Sequence, residues 1–221
     1  MPQSTPIIFK PIGKPEIGNN NYQGFTPGRT EVLKKGSNNN NAKPLKSDIR
    51  VDHDVEIKAR DGIKMYADIY RPADAGDEKL PAIISVHVMG SQDGEDCYDV
   101  VEAIAAMDWC SGKIGMAGNS ALAIIQWRAA ELNPPHLTAI APWEGSGDIY
   151  REQFNRGGWF HMSNFDLIST LIIKGSNGVE DMAAMYEKYP MSNPFWADKR
   201  ADMSKVRYPT VHELIWSVML T

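Results

Sequence analysis

The chain has 221 residues, 43% of them hydrophobic, and a formal net charge of −5 at pH 7. This length and apolar fraction fit a globular protein with one sizeable core, and the negative charge argues against a nucleic-acid partner, which needs a clustered positive field. Two cysteines, Cys97 and Cys110, are too few for a disulfide framework or a metal motif. The sequence shows no signal-peptide pattern and no apolar run of membrane-spanning length, so we expect a cytoplasmic protein with no membrane partner.

The first 47 residues differ in composition from the rest. They hold stretches rich in Asn, Gly, Pro and Lys, such as GNNNYQGFTPGRT and KKGSNNNNAKP. These residue types break regular structure and bury little apolar surface. We therefore predict an irregular N-terminal arm over residues 1–47 and one main domain over residues 48–221.

The main domain begins with a predicted β-hairpin. Apolar residues alternate with polar ones in RVDHDVEIKA and again in IKMYADIY, and Asp61-Gly62 lies between the two runs. An Asp-Gly pair supplies the positive φ angles of a tight hairpin turn. His53 falls in the first run, where we expect a half-buried strand residue.

A mostly parallel sheet with helices on both faces is predicted from that point on. The unbroken apolar run Leu80–Val88 is typical of a strand buried on both faces. A helical pattern, the strand KIGMAGNS, the helix ALAIIQWRAAEL and the strand LTAIAPWEG follow, and this alternation is typical of an α/β fold. The predicted core positions are Ile57, Ile69, Ile83, Ile114 and Ile140.

Beyond Asp148 the pattern loosens and predicts a cap segment over about residues 148–205. Within it, Gly178–Tyr189 has helical spacing. After it, Thr210–Trp216 alternates as the next strand of the sheet would.

A possible nucleophile lies in KIGMAGNSALAIIQW, Lys113–Trp127, where Gly-Asn-Ser joins a strand to a helix. A sharp turn there would expose Ser120, place the helix dipole beneath it and direct the Ala121 N–H at a developing oxyanion. Gly118 and Ala123 are small, as a close approach of strand and helix requires. The pattern predicts a strained backbone with positive φ at Ser120. The alternative is a serine whose side chain caps the helix.

Several motifs occur in the order found in one enzyme group. They include RDGIKMYADIYRPAD with KLPAIIS, GKIGMAGNS, PPHLTAIAPWEG and GVEDMAAMYEKYP. From about Asp48 to Trp216 the sequence resembles the cocaine esterase and X-prolyl dipeptidyl-peptidase group of α/β-hydrolases, also called CocE/NonD family hydrolases. The resemblance implies a partial α/β-hydrolase fold with an N-terminal β-hairpin and an incomplete cap.

The resemblance also implies roles for particular residues. Ser120 would be the acyl-accepting nucleophile, with the Ala121 N–H in the oxyanion hole and Gly118 and Asn119 in the turn that carries the serine. Two residues after the next strand are expected in the pocket: Trp143 and Glu144. A small-molecule ester or peptide substrate is implied, with no metal and no organic cofactor, and the oligomeric state stays open.

Two parts that the group carries are not found where the resemblance places them. In α/β-hydrolases an acid and then a histidine follow the serine, but neither residue type occurs after Trp216. Upstream, an oxyanion-loop tyrosine and a further strand and helix would lie between Ser85 and Val86. We therefore expect an internal deletion at that junction and a truncated C-terminus.

The histidines elsewhere in the sequence are poor candidates for the missing triad histidine. His136 follows a helix and a Pro-Pro turn, which puts it at the opposite end of the sheet from Ser120. His161 lies in the cap and could approach the pocket, whereas His87 cannot be placed and His212 alternates within an apolar strand. Two carboxylates at the active edge of the sheet are weaker candidates for the triad acid: Glu144 and Asp148.

Three functions stay open on this basis. The first is a serine hydrolase that transfers an acyl group through Ser120 to water. The second is a catalytically inactive chain that keeps the fold but lacks the triad acid and histidine. The third, suggested only by the missing strand, is an interaction protein that uses an exposed sheet edge and the Asn-rich arm.

Overall fold

The computed structural model describes residues 5–19, 22–38, 43–86, 93–162, 165–166, 168–169, 173–175 and 178–209. Within these ranges the strands are β1 (Phe9–Lys10), β2 (Thr30–Leu33), β3 (Ile49–Lys58), β4 (Lys64–Pro72), β5 (Leu80–Ile84), β6 (Cys110–Asn119), β7 (Leu137–Trp143) and β8 (Val179–Glu180). The α-helices are α1 (Asp93–Ala105), α2 (Ala121–Glu131), α3 (Met182–Lys188) and α4 (Pro194–Asp198). The structure also contains a π-helical segment, Ile149–Phe154, and two short 3-10 turns, Arg156–Gly158 and Met203–Lys205.

The central sheet has the strand order β5-β6-β7, and both strand pairs run parallel. Ile84, Met116 and Ile140 are neighbours across it and all are buried, since paired positions point to the same face. α1 and α2 pack against the sheet and against each other, so they form one helical layer over this face. The parallel sheet with helical connections confirms the predicted α/β class.

The opposite face of the central sheet departs from the prediction. Four of the five predicted core positions are buried: Ile57, Ile69, Ile114 and Ile140. Ile83, however, is 80% exposed. β5 is an edge strand. Successive side chains of a strand point to opposite faces of the sheet, so Ile83 points away from the helical layer that buries Ile84. The prediction of a strand buried on both faces is therefore wrong, and within the described ranges no helix covers Ile83.

The predicted hairpin is formed by β3 and β4, which pair antiparallel. Its turn is longer than predicted, because the Ala59 N–H bonds to the Ile63 carbonyl oxygen at 2.8 Å and leaves three residues between them. Only Gly62 has a positive φ, of 90°, and Asp61 does not. The Asp61 carboxylate instead accepts the Ile63 N–H at 2.9 Å, which stabilises the turn locally.

Two strands lie in the arm that the composition predicts to be irregular. β2 pairs antiparallel with β3 and makes the hairpin a three-stranded sheet. β1 pairs antiparallel with β8, which lies in the segment predicted as a cap, about residues 148–205. Backbone pairing of this kind needs no apolar pattern, so composition did not indicate it.

The cap region has its own apolar cluster. Phe154 and Trp196 lie at its centre and are fully buried. The helix predicted over residues 178–189 begins only at Met182, where the Asp181 side chain caps it by accepting the Ala184 N–H. The two residues before Asp181 that were predicted helical form β8 instead.

The last described residues return to the central sheet. The Tyr208 hydroxyl donates to the Pro134 carbonyl oxygen at 2.9 Å, and the Ile140 N–H donates to the Pro209 carbonyl oxygen at 3.2 Å. The chain therefore runs alongside β7 just before residue 210. The strand predicted over residues 210–216, as well as His87 and His212, lies outside the described residues. In the part of the chain that is described, no helix has both the length and the apolarity needed to cross a bilayer.

Candidate active site

Ser120 forms a sharp turn between β6 and α2. Its φ is 60° and its ψ is −119°, a conformation that is costly for a residue with a side chain and persists only where neighbours fix it. The Ser120 N–H donates to the Trp143 carbonyl oxygen at 3.0 Å. The Ser120 carbonyl oxygen accepts the N–H groups of Ala123 and Ile124 at 2.9 and 3.0 Å. The predicted positive φ at Ser120 is confirmed.

The Ser120 side chain does not cap the helix that follows it. It makes no cap hydrogen bond to α2, and the residue is exposed. A capping serine has an extended backbone and accepts an N–H from the first turn. The capping alternative is therefore wrong, and the hydroxyl stays available to an incoming group.

The first turn of α2 presents free backbone donors beside Ser120. The first N–H groups of any helix lack an acceptor within the helix. Among the described residues, the N–H of Ala121 makes no hydrogen bond, and the first turn carries no acidic side chain. The positive end of the helix dipole can therefore stabilise a negative oxygen formed there. The role of Ala121 as an oxyanion donor stays a prediction.

Small residues allow a close approach of the elements around the turn. A Cβ at Gly118 would lie 2.4 Å from the Leu122 Cβ, and a Cβ at Gly145 would lie 2.5 Å from the Ala123 Cβ. Both distances are far below ordinary carbon–carbon contact. The distance at Gly118 supports the predicted need for a small side chain there, and the Ala123 side chain lies close to Gly145. Gly145 is a third such position, and the only signal for it was a glycine directly after the strand end.

Asn119 and Glu144 form a hydrogen bond beside the serine. The Asn119 Nδ2 donates to the Glu144 Oε2 at 2.7 Å. Glu144 has a φ of 52° directly after β7, as Ser120 has a positive φ directly after β6. Trp143, which is 40% exposed, lies at the same edge of the sheet. The structure thus brings the predicted turn and pocket residues together, at the edge where open α/β sheets bind ligands.

Gln126 is a buried polar residue beneath the turn. It lies on α2 with an exposed fraction of 0%. Its Nε2 donates to the Leu122 carbonyl oxygen at 2.8 Å and lies 3.4 Å from the Gly118 carbonyl oxygen, while its Oε1 accepts the Ala141 N–H at 3.0 Å. Sequence reasoning did not select Gln126, although one amide in the apolar run ALAIIQW was a usable signal.

Two of the described histidines lie away from the serine. The His53 ring contacts the carboxylates of Glu31 and Asp68 at 2.9 and 3.4 Å, on the three-stranded sheet. His136 Nδ1 lies 2.7 Å from a Glu102 oxygen. His136 directly precedes β7, whereas Ser120 follows the end of β6, so the two lie at opposite ends of parallel strands, as predicted.

The third described histidine, His161, is engaged in the cap. The Arg156 Nε donates to its Nε2 at 3.2 Å. Within the described ranges, no histidine hydrogen-bonds to Ser120. His161 therefore does not hydrogen-bond to Ser120 as a general base would.

The two candidate acids also have other partners. The Asp148 carboxylate accepts the Arg151 N–H at 3.0 Å and lies 2.7 Å from the Arg151 Nη1, which places it at the start of the π-helical segment. Glu144 bonds to Asn119. Among the described residues, no group of three or more His, Cys, Asp and Glu side chains converges as a metal site.

Comparison with known proteins agrees with this geometry. Residues 85–188 match the X-Pro dipeptidyl-peptidase (S15) family. A 59-residue stretch is 42% identical to the cocaine esterase of Rhodococcus sp. (strain MB1 Bresler), and it covers 27% of this chain and 10% of the esterase.

Solved structures share the fold. A CocE/NonD family hydrolase from Staphylococcus aureus superimposes with a TM-score of 0.67 and 22% identity, over 89% of this chain and 46% of the hydrolase. An α-amino acid ester hydrolase superimposes with a TM-score of 0.55 and 13% identity, over 95% of this chain and 45% of that one. The chain thus spans about half the length of the solved structures that it matches.

The matched family segment contains β6, the Ser120 turn, α2 and β7, which are the elements that form the site. The chain therefore has a partial α/β-hydrolase fold, and its residues 85–188 match the X-Pro dipeptidyl-peptidase S15 family.

Proposed function

We propose that this chain carries the nucleophile of a serine hydrolase that cleaves an ester or an X-Pro peptide bond by acyl transfer through Ser120 to water. The observation that supports it is the turn itself. An exposed serine with a φ of 60° precedes α2 and makes no cap bond to it. The matches to the S15 family and to a cocaine esterase favour these two bond types.

The arrangement around the turn supports an acyl-transfer reaction. The Ser120 Oγ attacks the carbonyl carbon of the substrate as a base removes the hydroxyl proton, and the carbonyl oxygen becomes an oxyanion beside the Ala121 N–H. Collapse of this intermediate expels the alcohol or amine, which takes up a proton, and leaves an acyl ester on Ser120. Water then attacks the ester, releases the acid and restores the serine.

Trp143 and Glu144 are proposed to line the mouth of the acyl pocket. Trp143 is the last residue of β7 and Glu144 follows it, at the edge that carries Ser120. Trp143 offers apolar surface, and the Glu144 carboxylate is fixed by its bond to Asn119. Substrate groups that reach the serine along this edge would therefore contact them.

A second candidate is a catalytically inactive chain that keeps the strand-to-helix turn at Ser120. The observation that favours it is the engagement of the described histidines elsewhere, with Glu31 and Asp68, with Glu102 and with Arg156. A serine without a base has an ordinary, unreactive hydroxyl at neutral pH. Removal of the histidine from a serine triad costs several powers of ten in rate.

A fluorophosphonate probe separates the two candidates. The 221-residue chain and its Ser120→Ala variant are incubated with the probe and mapped by mass spectrometry. An adduct on Ser120 that the variant lacks supports catalysis by this chain alone. A folded chain without adduct supports the non-catalytic candidate.

A fusion protein tests the same proposal in a longer chain. The chain is joined to those segments of the Staphylococcus aureus hydrolase that it does not cover. We expect the fusion to gain both the adduct and ester hydrolysis, and Ser120→Ala to abolish both. Hydrolysis that survives Ser120→Ala, or a folded fusion without adduct, would overturn the assignment of Ser120.

A further inference from the structure

The turn at Ser120 depends on three elements keeping their relative positions. β6 leads into it, α2 leads out of it, and β7 accepts its N–H through the Trp143 carbonyl oxygen. A left-handed residue with a side chain relaxes unless its surroundings fix it. At least one contact next to the turn must therefore hold β6, α2 and β7 together.

We propose that Gln126 is the positioning residue that locks the Ser120 turn against β7. This inference deepens the proposed function and rests on that function only because it takes Ser120 as the nucleophile. One side-chain amide reaches the end of β6 at Gly118, the first turn of α2 at Leu122 and the middle of β7 at Ala141. Gln126 touches no substrate position and acts through the backbone.

The orientation of the Gln126 amide follows from its partners. The Ala141 N–H is a donor and must face the Oε1 atom, while the carbonyl oxygens of Leu122 and Gly118 are acceptors and must face the Nε2 atom. A flipped amide would oppose donor to donor and acceptor to acceptor at every contact. The network therefore permits one arrangement only.

An apolar side chain could not replace this amide without loss. Gln126 is fully buried on α2, where Ile125 and Trp127 are also buried, so an apolar residue of the same length would suit the site by burial alone. The Ala141 N–H would then face the interior without its amide partner. Unpaired buried donors are costly, so the strand and the turn would separate to admit water.

Hydrogen exchange provides the test, since it does not require Ser120 to react. The isosteric variant Gln126→Met removes all three hydrogen bonds. The readout is the protection of the Ser120 N–H relative to that of the Ile114 N–H, which bonds to the His136 carbonyl oxygen at the other end of the sheet. We expect the ratio to fall about tenfold or more, because one lost hydrogen bond already changes an equilibrium by about that factor.

A control separates positioning from general destabilisation. Ile125→Val, next in sequence and equally buried, weakens the core without touching the amide network. It should lower the protection of the Ser120 N–H and of the Ile114 N–H by the same factor and leave their ratio unchanged. An unchanged ratio in Gln126→Met, or an equal fall in Ile125→Val, would overturn the positioning role.

The unmodified protein gives a second measurement if Gln126→Met does not fold. The Nε2 protons of Gln126 should exchange at least tenfold more slowly than those of an exposed side-chain amide, because they are buried and bonded to carbonyl oxygens. Exchange as fast as that of an exposed amide would contradict the proposal. Neither readout depends on whether Ser120 is chemically active, so a failure here leaves the proposed function standing.

Discussion

The backbone N–H of Ser120 donates to the carbonyl oxygen of Trp143 at 3.0 Å, and this bond joins the ends of two neighbouring parallel strands. Both strands continue into a residue with positive φ, Ser120 after β6 and Glu144 after β7. The Asn119 side chain bonds to Glu144 across the same gap. The strained serine is therefore part of a connected edge of the sheet.

Gly118→Ala should destabilise the turn, because its Cβ would lie 2.4 Å from the Leu122 Cβ. We expect a loss of about 1–3 kcal/mol in the free energy of unfolding, as is typical of overpacking. Gly115→Ala on the same strand is the matched control, since its Cβ would meet nothing closer than 3.9 Å. Urea unfolding of both variants measures the difference, and equal stability of the two would refute the close approach.

Ile84 and Ile83 should respond in opposite ways to truncation. Ile84→Ala removes a buried side chain from the helical layer and should cost about 2–5 kcal/mol, whereas Ile83→Ala changes an exposed side chain and should stay within about 0.5 kcal/mol. Chemical unfolding of the two variants provides the measurement. A large loss in Ile83→Ala would show that the second face of the sheet is covered.

The features that the sequence predicted best depend on local pattern. The strand, the turn at Ser120 and the helix after it are contiguous, and their residue types indicate the positive φ that the structure shows. The strand–helix alternation likewise indicated the parallel sheet. Local signals suffice where the feature is formed by neighbours along the chain.

The features that the sequence missed depend on contacts between distant segments. An apolar run does not reveal whether both faces of its strand are covered, and so Ile83 was misjudged. The approach of Gly145 to Ala123 and the reach of Gln126 to Ala141 arise only once α2 packs on β7. No period of two or 3.6 residues contains that information.

The buried ion pair between Lys199 and Glu180 predicts a strong effect of breaking it. The two charged atoms lie 2.5 Å apart, and both side chains are almost fully buried in the cap region. Lys199→Met removes the ion-pair partner of the buried Glu180 carboxylate and should cost about 3–5 kcal/mol. Lys205→Met, which breaks the exposed pair with Asp202, should cost at most about 1 kcal/mol. Thermal unfolding compares them, and similar losses would contradict the burial of the first pair.

Asp52 should make stability depend on pH in the acid range. Partial burial opposes ionisation of its carboxyl, but hydrogen bonds from Arg50, Thr30 and Arg71 outweigh this and lower its pKa from 3.8 to about 2. Because the folded pKa lies below the unfolded value, the stabilisation is complete above pH 3.8 and is lost as the pH falls towards 2. Asp52→Asn should thus be less stable than the unmodified chain at pH 7.

Urea unfolding at a series of pH values measures the Asp52 effect. The stability difference between the unmodified chain and Asp52→Asn should shrink as the pH falls from 3.8 to about 2. A difference that stays constant over this interval would show that the carboxyl is not held ionised by its three partners.

The central claim is that the turn places the side chain at position 120 in the positive field at the N-terminus of α2, and a thiol placed there tests this without a catalytic base. The measurement is the pH profile of iodoacetamide alkylation of Ser120→Cys, with Ser111→Cys, an exposed site at the other end of β6, as the reference. Thiol pKa values fall from about 8.5 at the N-terminus of a helix. The account predicts an apparent pKa clearly below that of the Ser111→Cys thiol, and an equal or higher value would contradict it.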